Sequence, residues 1–205
     1  MVDYSKYSTD DLLDVQKNID PESQNYPAFL KELDLRQQEI AQFSAKNEAK
    51  EYDLDKLKVT TVGYFQIGAA IVLSLLIIYS GIFGQGVTVL TVSIAIPLIV
   101  LNAIAGITAI KLLTKWYWLS ILNQILQVVS LNLGSFYINY AGLGYINIVL
   151  SWGQEFSLGF DAQFSPGFNF YKFTETLPLQ TFGIDIMAII FILAFIRLKD
   201  VEARA

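Results

Sequence analysis

Between Lys58 and Lys111 the chain runs for 52 residues without a charged side chain, and a second such run of 39 residues separates Lys115 from Glu155. An uncharged apolar run of about 18 residues is already long enough to cross the hydrocarbon of a bilayer. Only 16% of the 205 residues are charged, against about 25% in ordinary soluble domains. The charges crowd toward the start: residues 1–58 hold 13 of the 19 acids and 8 of the 14 bases. This pattern predicts a membrane protein with a small acidic head.

The missing residue types narrow the chemistry. There are no cysteines and no histidines. Disulfides, thiol nucleophiles, the usual zinc and iron–sulfur ligand sets, Ser-His-Asp triads and histidine proton relays are therefore excluded. The chain contains no P-loop, no G-x-S-x-G and no G-x-G-x-x-G, so the nucleotide and hydrolase motifs are absent as well. The expectation is a non-enzymatic protein with no cofactor and no metal. A net charge of −5 in residues 1–58 repels phosphates, so no nucleic-acid partner is expected. The acidic opening lacks the basic and apolar parts of a cleavable leader, and the first span is expected to act as the insertion signal.

Local signals divide the rest. Ser8-Thr9-Asp10-Asp11 is a capping box, in which hydroxyl and carboxylate satisfy each other's backbone N–H groups. Asp20-Pro21 and Tyr26-Pro27 mark further starts, and Phe29, Leu30, Leu33, Ile40 and Phe43 recur at helical spacing. Two amphipathic helices in an αα-hairpin follow, with Lys46–Lys58 as a linker or a polar extension of the first span. Spans are read at 59–83, closed by a Gly84-Gln85-Gly86 turn, at 87–113 with Pro97 as a kink or hinge, and at 116–137 behind the aromatic belt Trp116-Tyr117-Trp118. A fourth lies within 179–196 and ends at Arg197 and Lys199.

Residues 156–164 alternate Phe156, Leu158, Phe160, Ala162 and Phe164 with Ser157, Gly159, Asp161 and Gln163, the period of a half-buried strand. Ser165-Pro166-Gly167 reads as a turn into a return strand over 168–173, and 135–140 and 145–152 are also rich in strand formers. These predict three or four strands in an external meander, with a re-entrant excursion at 134–150 as the alternative.

The fold expected is thus membrane α-helical: a four-span helical bundle with an N-terminal cytoplasmic αα-hairpin and a small external β-meander between spans three and four. The segments are 1–58, 59–137, 138–178, 179–198 and 199–205. The basic residues outside the spans place both termini in the cytoplasm of an inner membrane by the positive-inside rule.

Polar residues within the spans are the candidate site. Ser120, Asn123, Gln124, Gln127 and Ser130 fall on one helical stripe. Buried amides need partners, so the stripe reads as helix–helix glue or as the lining of a pore on an oligomer axis. Asn102 sits beside Ala103, Gly106 and Ala109, and Gly63, Gly68, Ala69 and Ala70 give the first span a matching small face, suited to close helix packing. Asp185 is the one acid within a predicted span, either a cation site or a group in the first turn of the last helix.

Tyr7-Ser8-Thr9-Asp10-Asp11-Leu12, Asn18-Ile19-Asp20 and Tyr26-Pro27 resemble the helical-hairpin opening of uncharacterised bacterial inner-membrane proteins, and Gly183-Ile184-Asp185 resembles a Gly-Ile-Asn that opens their last helix. That resemblance implies a bacterial inner-membrane protein and no activity. The expected role is a homo-oligomeric scaffold, sensor or accessory subunit in the lipid bilayer, docking a cytoplasmic protein through residues 1–45. The alternative is a small homo-oligomeric ion channel or membrane-permeabilising effector.

Overall fold

The computed structural model describes residues 2–84, 88–153, 155–173 and 178–202. Contacts divide the chain into two units, Met1–Asp53 and Leu54–Ala205.

In the first unit, a 3-10 turn at Tyr4–Lys6 leads to α1 (Thr9–Asn18) and α2 (Tyr26–Leu35). The capping box forms: Ser8 Oγ accepts from the Asp11 N–H and Asp11 Oδ2 accepts from the Ser8 N–H, both at 3.2 Å. Pro27 occupies the first turn of α2, where its missing N–H costs nothing. Tyr4, Leu12 and Phe29 form a small core, with Tyr7, Val15 and Leu33 packed against it. Arg36 fastens the opening turn. Its guanidinium bonds Glu32 at 2.6 Å, the Tyr7 carbonyl at 2.9 Å and the Ser5 carbonyl at 2.7 Å.

Helix α3 (Gln37–Ile82) passes through both units without a break, so Lys46–Lys58 is helical, a polar extension of the span and not a linker. With α4 (Val89–Ile110) it is long and apolar enough to cross a membrane, and among the described residues only these two helices are. Part of the predicted turn between them, Gln85 and Gly86, lies outside the described residues. The two helices meet through their small faces: a Cβ on Gly63 would lie 2.9 Å from the Gly106 carbonyl oxygen, and one on Gly106 would lie 2.7 Å from that of Gly63. Only glycine at both positions allows this approach.

The four-span bundle is not what forms. The described residues form a mixed fold, with six α-helices and one six-stranded antiparallel sheet. The third predicted span stops after α5 (Tyr117–Ile125), nine residues long, and re-emerges as β1 (Val129–Asn132). The fourth begins as β6 (Gln180–Asp185), and α6 (Ile186–Glu202) has 17 residues. Tertiary pairing overrides the apolar run in both places. β6 lies between β3 (Tyr145–Trp152) and β1, so its backbone is satisfied on both sides without a helix.

The remaining strands are β2 (Phe136–Ala141), β4 (Ser157–Gln163) and β5 (Gly167–Lys172). The sheet order is β4-β3-β6-β1-β2-β5. It is not a meander: the Ser165-Pro166-Gly167 segment does not close a hairpin, because β4 pairs with β3 and β5 with β2 at opposite edges. Residues 134–150 form strands and not a re-entrant excursion. Gly167 opens β5 at φ +103°, and its missing Cβ makes room for Leu73 of α3.

Candidate functional site

The predicted polar stripe does not stay on one helix. Ser120, Asn123 and Gln124 lie on α5, Gln127 lies in the turn that follows, and Ser130 lies on β1. The first four are buried. Asn123 closes a triangle with Asn102 of α4 and Tyr140 of β2. Asn123 Nδ2 donates to Asn102 Oδ1 at 2.9 Å, Asn102 Nδ2 donates to the Tyr140 hydroxyl at 2.7 Å, and that hydroxyl donates to Asn123 Oδ1 at 2.7 Å. Ser120 Oγ lies 3.1 Å from both Gln66 Oε1 of α3 and the Ala105 carbonyl of α4. Gln127 donates to the Asn123 carbonyl and accepts from the Gly142 N–H. These polar side chains join α3, α4, α5 and β2 through hydrogen bonds, the arrangement that helix–helix glue requires.

Asp185 ends β6 immediately before α6. Its Oδ1 accepts from the Met187 N–H at 2.9 Å and the Ile146 N–H at 3.2 Å. It caps the helix and joins it to β3. Among the described residues no three acidic side chains gather to hold a metal. Pro97 lies inside an unbroken α4 and leaves the Ser93 carbonyl without its in-helix donor.

Sequence reading passed over Asp55, which is 1% exposed. Its Oδ1 pairs with Lys58 Nζ at 2.7 Å and its Oδ2 with Arg197 Nε at 2.8 Å, fastening α6 to α3.

The sheet itself carries the most distinctive chemistry. Strict antiparallel register aligns side chains in rows across all six strands. One row reads Leu158, Leu150, Phe182, Leu131, Ile138, Phe170. The adjacent row, one residue along and so on the opposite face, reads Ser157, Ser151, Thr181, Asn132, Tyr137, Tyr171. One face is apolar and the other mostly polar, with Asn139, Asn147 and Asp185 buried on it and Ser157 and Asp161 exposed. Contacts on the polar face agree with this register. Tyr145 donates to Asp161 and Gln163 at 3.0 Å, Asn147 donates to Ser130 at 3.2 Å, and a Cβ on Gly183 would run into Ser130 Oγ. A cavity of about 300 Å³ opens on this face beside Tyr145, Asn147, Ser151, Asp161 and Thr181. The signal for β1 and β6 was present as alternation in Val129-Ser130-Leu131-Asn132 and Thr181–Asp185, but it lay inside longer apolar runs.

No protein-family model matches the chain, and no curated protein or solved structure is detectably similar to it.

Proposed function

We propose that this protein is a homo-oligomeric permeation pathway in a lipid bilayer, lined by the polar face of its sheet. The segregation of the two sheet faces carries this reading. A water-filled membrane barrel turns polar side chains inward and apolar ones outward with a period of two, which is the pattern of these six strands. The helices support it. Exposed Leu75, Ile82, Val89 and Leu90 on α3 and α4 leave an apolar surface of a kind that soluble monomers do not carry. Asp161 is exposed on the polar face and brings negative charge there, which favours cations. The basic residues near Asp55, Lys58 and Arg197 mark the cytoplasmic end by the positive-inside rule, in a bacterial inner membrane. The pathway proposed here differs from one lined by the α5 stripe, whose amides are already bonded to one another.

The test is ion flux in liposomes holding the purified full-length protein. Flux is expected, with the cation preference weakened by Asp161→Asn. Absence of flux from protein shown to be inserted would end this reading.

A second role has its own observation. The first unit has a separate small core and exposes Asp10, Asp11, Asp14, Asp20 and Glu22, an acidic surface for a basic cytoplasmic protein. Deleting residues 1–45 is expected to release any such partner while leaving flux intact.

A further inference from the structure

We infer that the two free edges of the sheet join head to tail between copies of this chain, β4 of one copy entering the groove along β5 of the next, so that several copies close one continuous antiparallel sheet. This deepens the permeation reading by naming the partner that completes the lining, and it rests on that reading for its setting.

The direction of the strands permits it. The sheet has six strands in strict antiparallel alternation, so β4 and β5, at opposite edges, run in opposite directions. A copy added at either edge continues the alternation. The faces permit it as well. The apolar row ends in Leu158 at one edge and Phe170 at the other, and the polar row ends in Ser157 and Tyr171. A junction in any register shifted by an even number of residues continues apolar with apolar and polar with polar, and an even shift supplies the stagger that closure of a barrel requires.

The groove identifies what fills it. A cavity of about 500 Å³ is lined by Phe168, Asn169, Phe170 and Tyr171 of β5 and by Leu73 and Leu98 of α3 and α4. Successive strand residues point to opposite faces, so a cavity touched by four in a row follows the edge of β5. An extended strand fits such a space, with ladder hydrogen bonds on one side and apolar helix surface on the other. β4 is that strand: all seven of its residues are exposed, Phe160 is 80% and Leu158 is 70% uncovered, and its apolar side chains would meet the α3–α4 wall. Aromatic side chains present ~150–250 Å² each, so Phe156, Leu158, Phe160 and Phe164 from one copy and Phe170 and Tyr171 from the next supply together roughly 700 Å² of the ~1,600 Å² that the two sides of a standard interface bury, and the α3–α4 wall has to supply the rest. Depth adds a reason. Gly167 meets Leu73 in the middle of the apolar part of α3, and at such a depth in lipid an open strand edge has no water to satisfy it.

The absence of cysteine makes the test direct. Leu158→Cys and Phe170→Cys are combined in one full-length chain, reconstituted in liposomes and oxidised, and the products are sized. Within one copy these positions lie on strands at opposite ends of the sheet order, and a disulfide closed within one copy runs at the size of a single chain, so only larger species report a junction. A ladder of covalent dimers and larger species is expected from at least one of the same-face pairs that the unshifted and two-residue registers align: this pair, Phe160→Cys plus Phe168→Cys, Leu158→Cys plus Phe168→Cys, and Phe160→Cys plus Phe170→Cys. The opposite-face pair Leu158→Cys plus Asn169→Cys is expected to give none. No ladder from the same-face pairs, an equal ladder from the opposite-face pair, or a dimer from Leu158→Cys alone overturns the inference. Circular dichroism of each variant checks that the sheet is intact. Cross-linking does not depend on flux: a ladder without flux removes the permeation reading and keeps the junction, and flux without a ladder does the reverse.

Discussion

Two groups of polar side chains occupy an otherwise apolar chain, and they differ in where their hydrogen bonds end. The Asn102–Asn123–Tyr140 triangle closes donor to acceptor in the buried interior. The rows on the polar sheet face bond one another only in part and leave Asp161 and Ser157 exposed. The first group is a structural clasp and the second a surface that still has bonds to make. The difference teaches that an amide in an apolar sequence is not in itself a lining residue; its partners decide.

The largest effect should come from breaking the clasp. Asn123→Leu leaves the Tyr140 O–H without its acceptor and Asn102 Oδ1 without its donor, and an unmade buried hydrogen bond costs about 1–3 kcal/mol. A loss of stability of about 3 kcal/mol is expected in denaturant titration of the detergent-solubilised protein. A loss under ~1 kcal/mol would show that the triangle is not a clasp. Next, Gly63→Ala drives a methyl group into the Gly106 carbonyl and should cost about 1–3 kcal/mol by overpacking, read by the same titration.

Asp185 sharpens the comparison through its backbone bonds. Asp185→Asn keeps an oxygen for the Met187 and Ile146 N–H groups, whereas Asp185→Ala leaves both without an acceptor and should cost about 1–2 kcal/mol more than Asp185→Asn in the same titration. Equal stability of the two variants would contradict this.

A smaller gain is expected where α4 ends. Leu112 holds a left-handed φ of +51°, with its N–H on the Ala109 carbonyl and the Leu113 N–H on the Thr108 carbonyl, a helix stop that glycine usually makes. Leu112→Gly should stabilise by about 1 kcal/mol in the same denaturant titration. At the open end of the comparison, Asp161→Asn should move stability by less than ~0.5 kcal/mol while shifting the reversal potential, as exposed positions do. A large loss of stability there would place Asp161 with the clasp.

Legibility followed the range of the interactions. Ser8 and Asp11 satisfy each other three residues apart, and the capping box was readable. The small faces of Gly63 and Gly106 could be read because close helix packing has one common cause. The alternation over 156–164 marked β4 correctly, but its partner could not be read, because β3 and β5 both offer suitable strands and the choice depends on the whole sheet. The polar set from Ser120 to Ser130 fits a helical stripe as well as it fits a short helix followed by a strand. Only pairing of Val129 with Ile184 and Ser130 with Gly183 decides between them. Asp55 was illegible for the same reason, since Arg197 lies far along the chain.

By itself the sequence determined what depends on neighbours along the chain: a capped acidic hairpin, two long apolar helices, and strands with unlike faces. Tertiary structure alone decided where apolar runs stop being helices and which strand lies beside which. A backbone amide is satisfied equally well within a helix or across a sheet, and the side chains of one run cannot say which until β6 finds its place between β3 and β1.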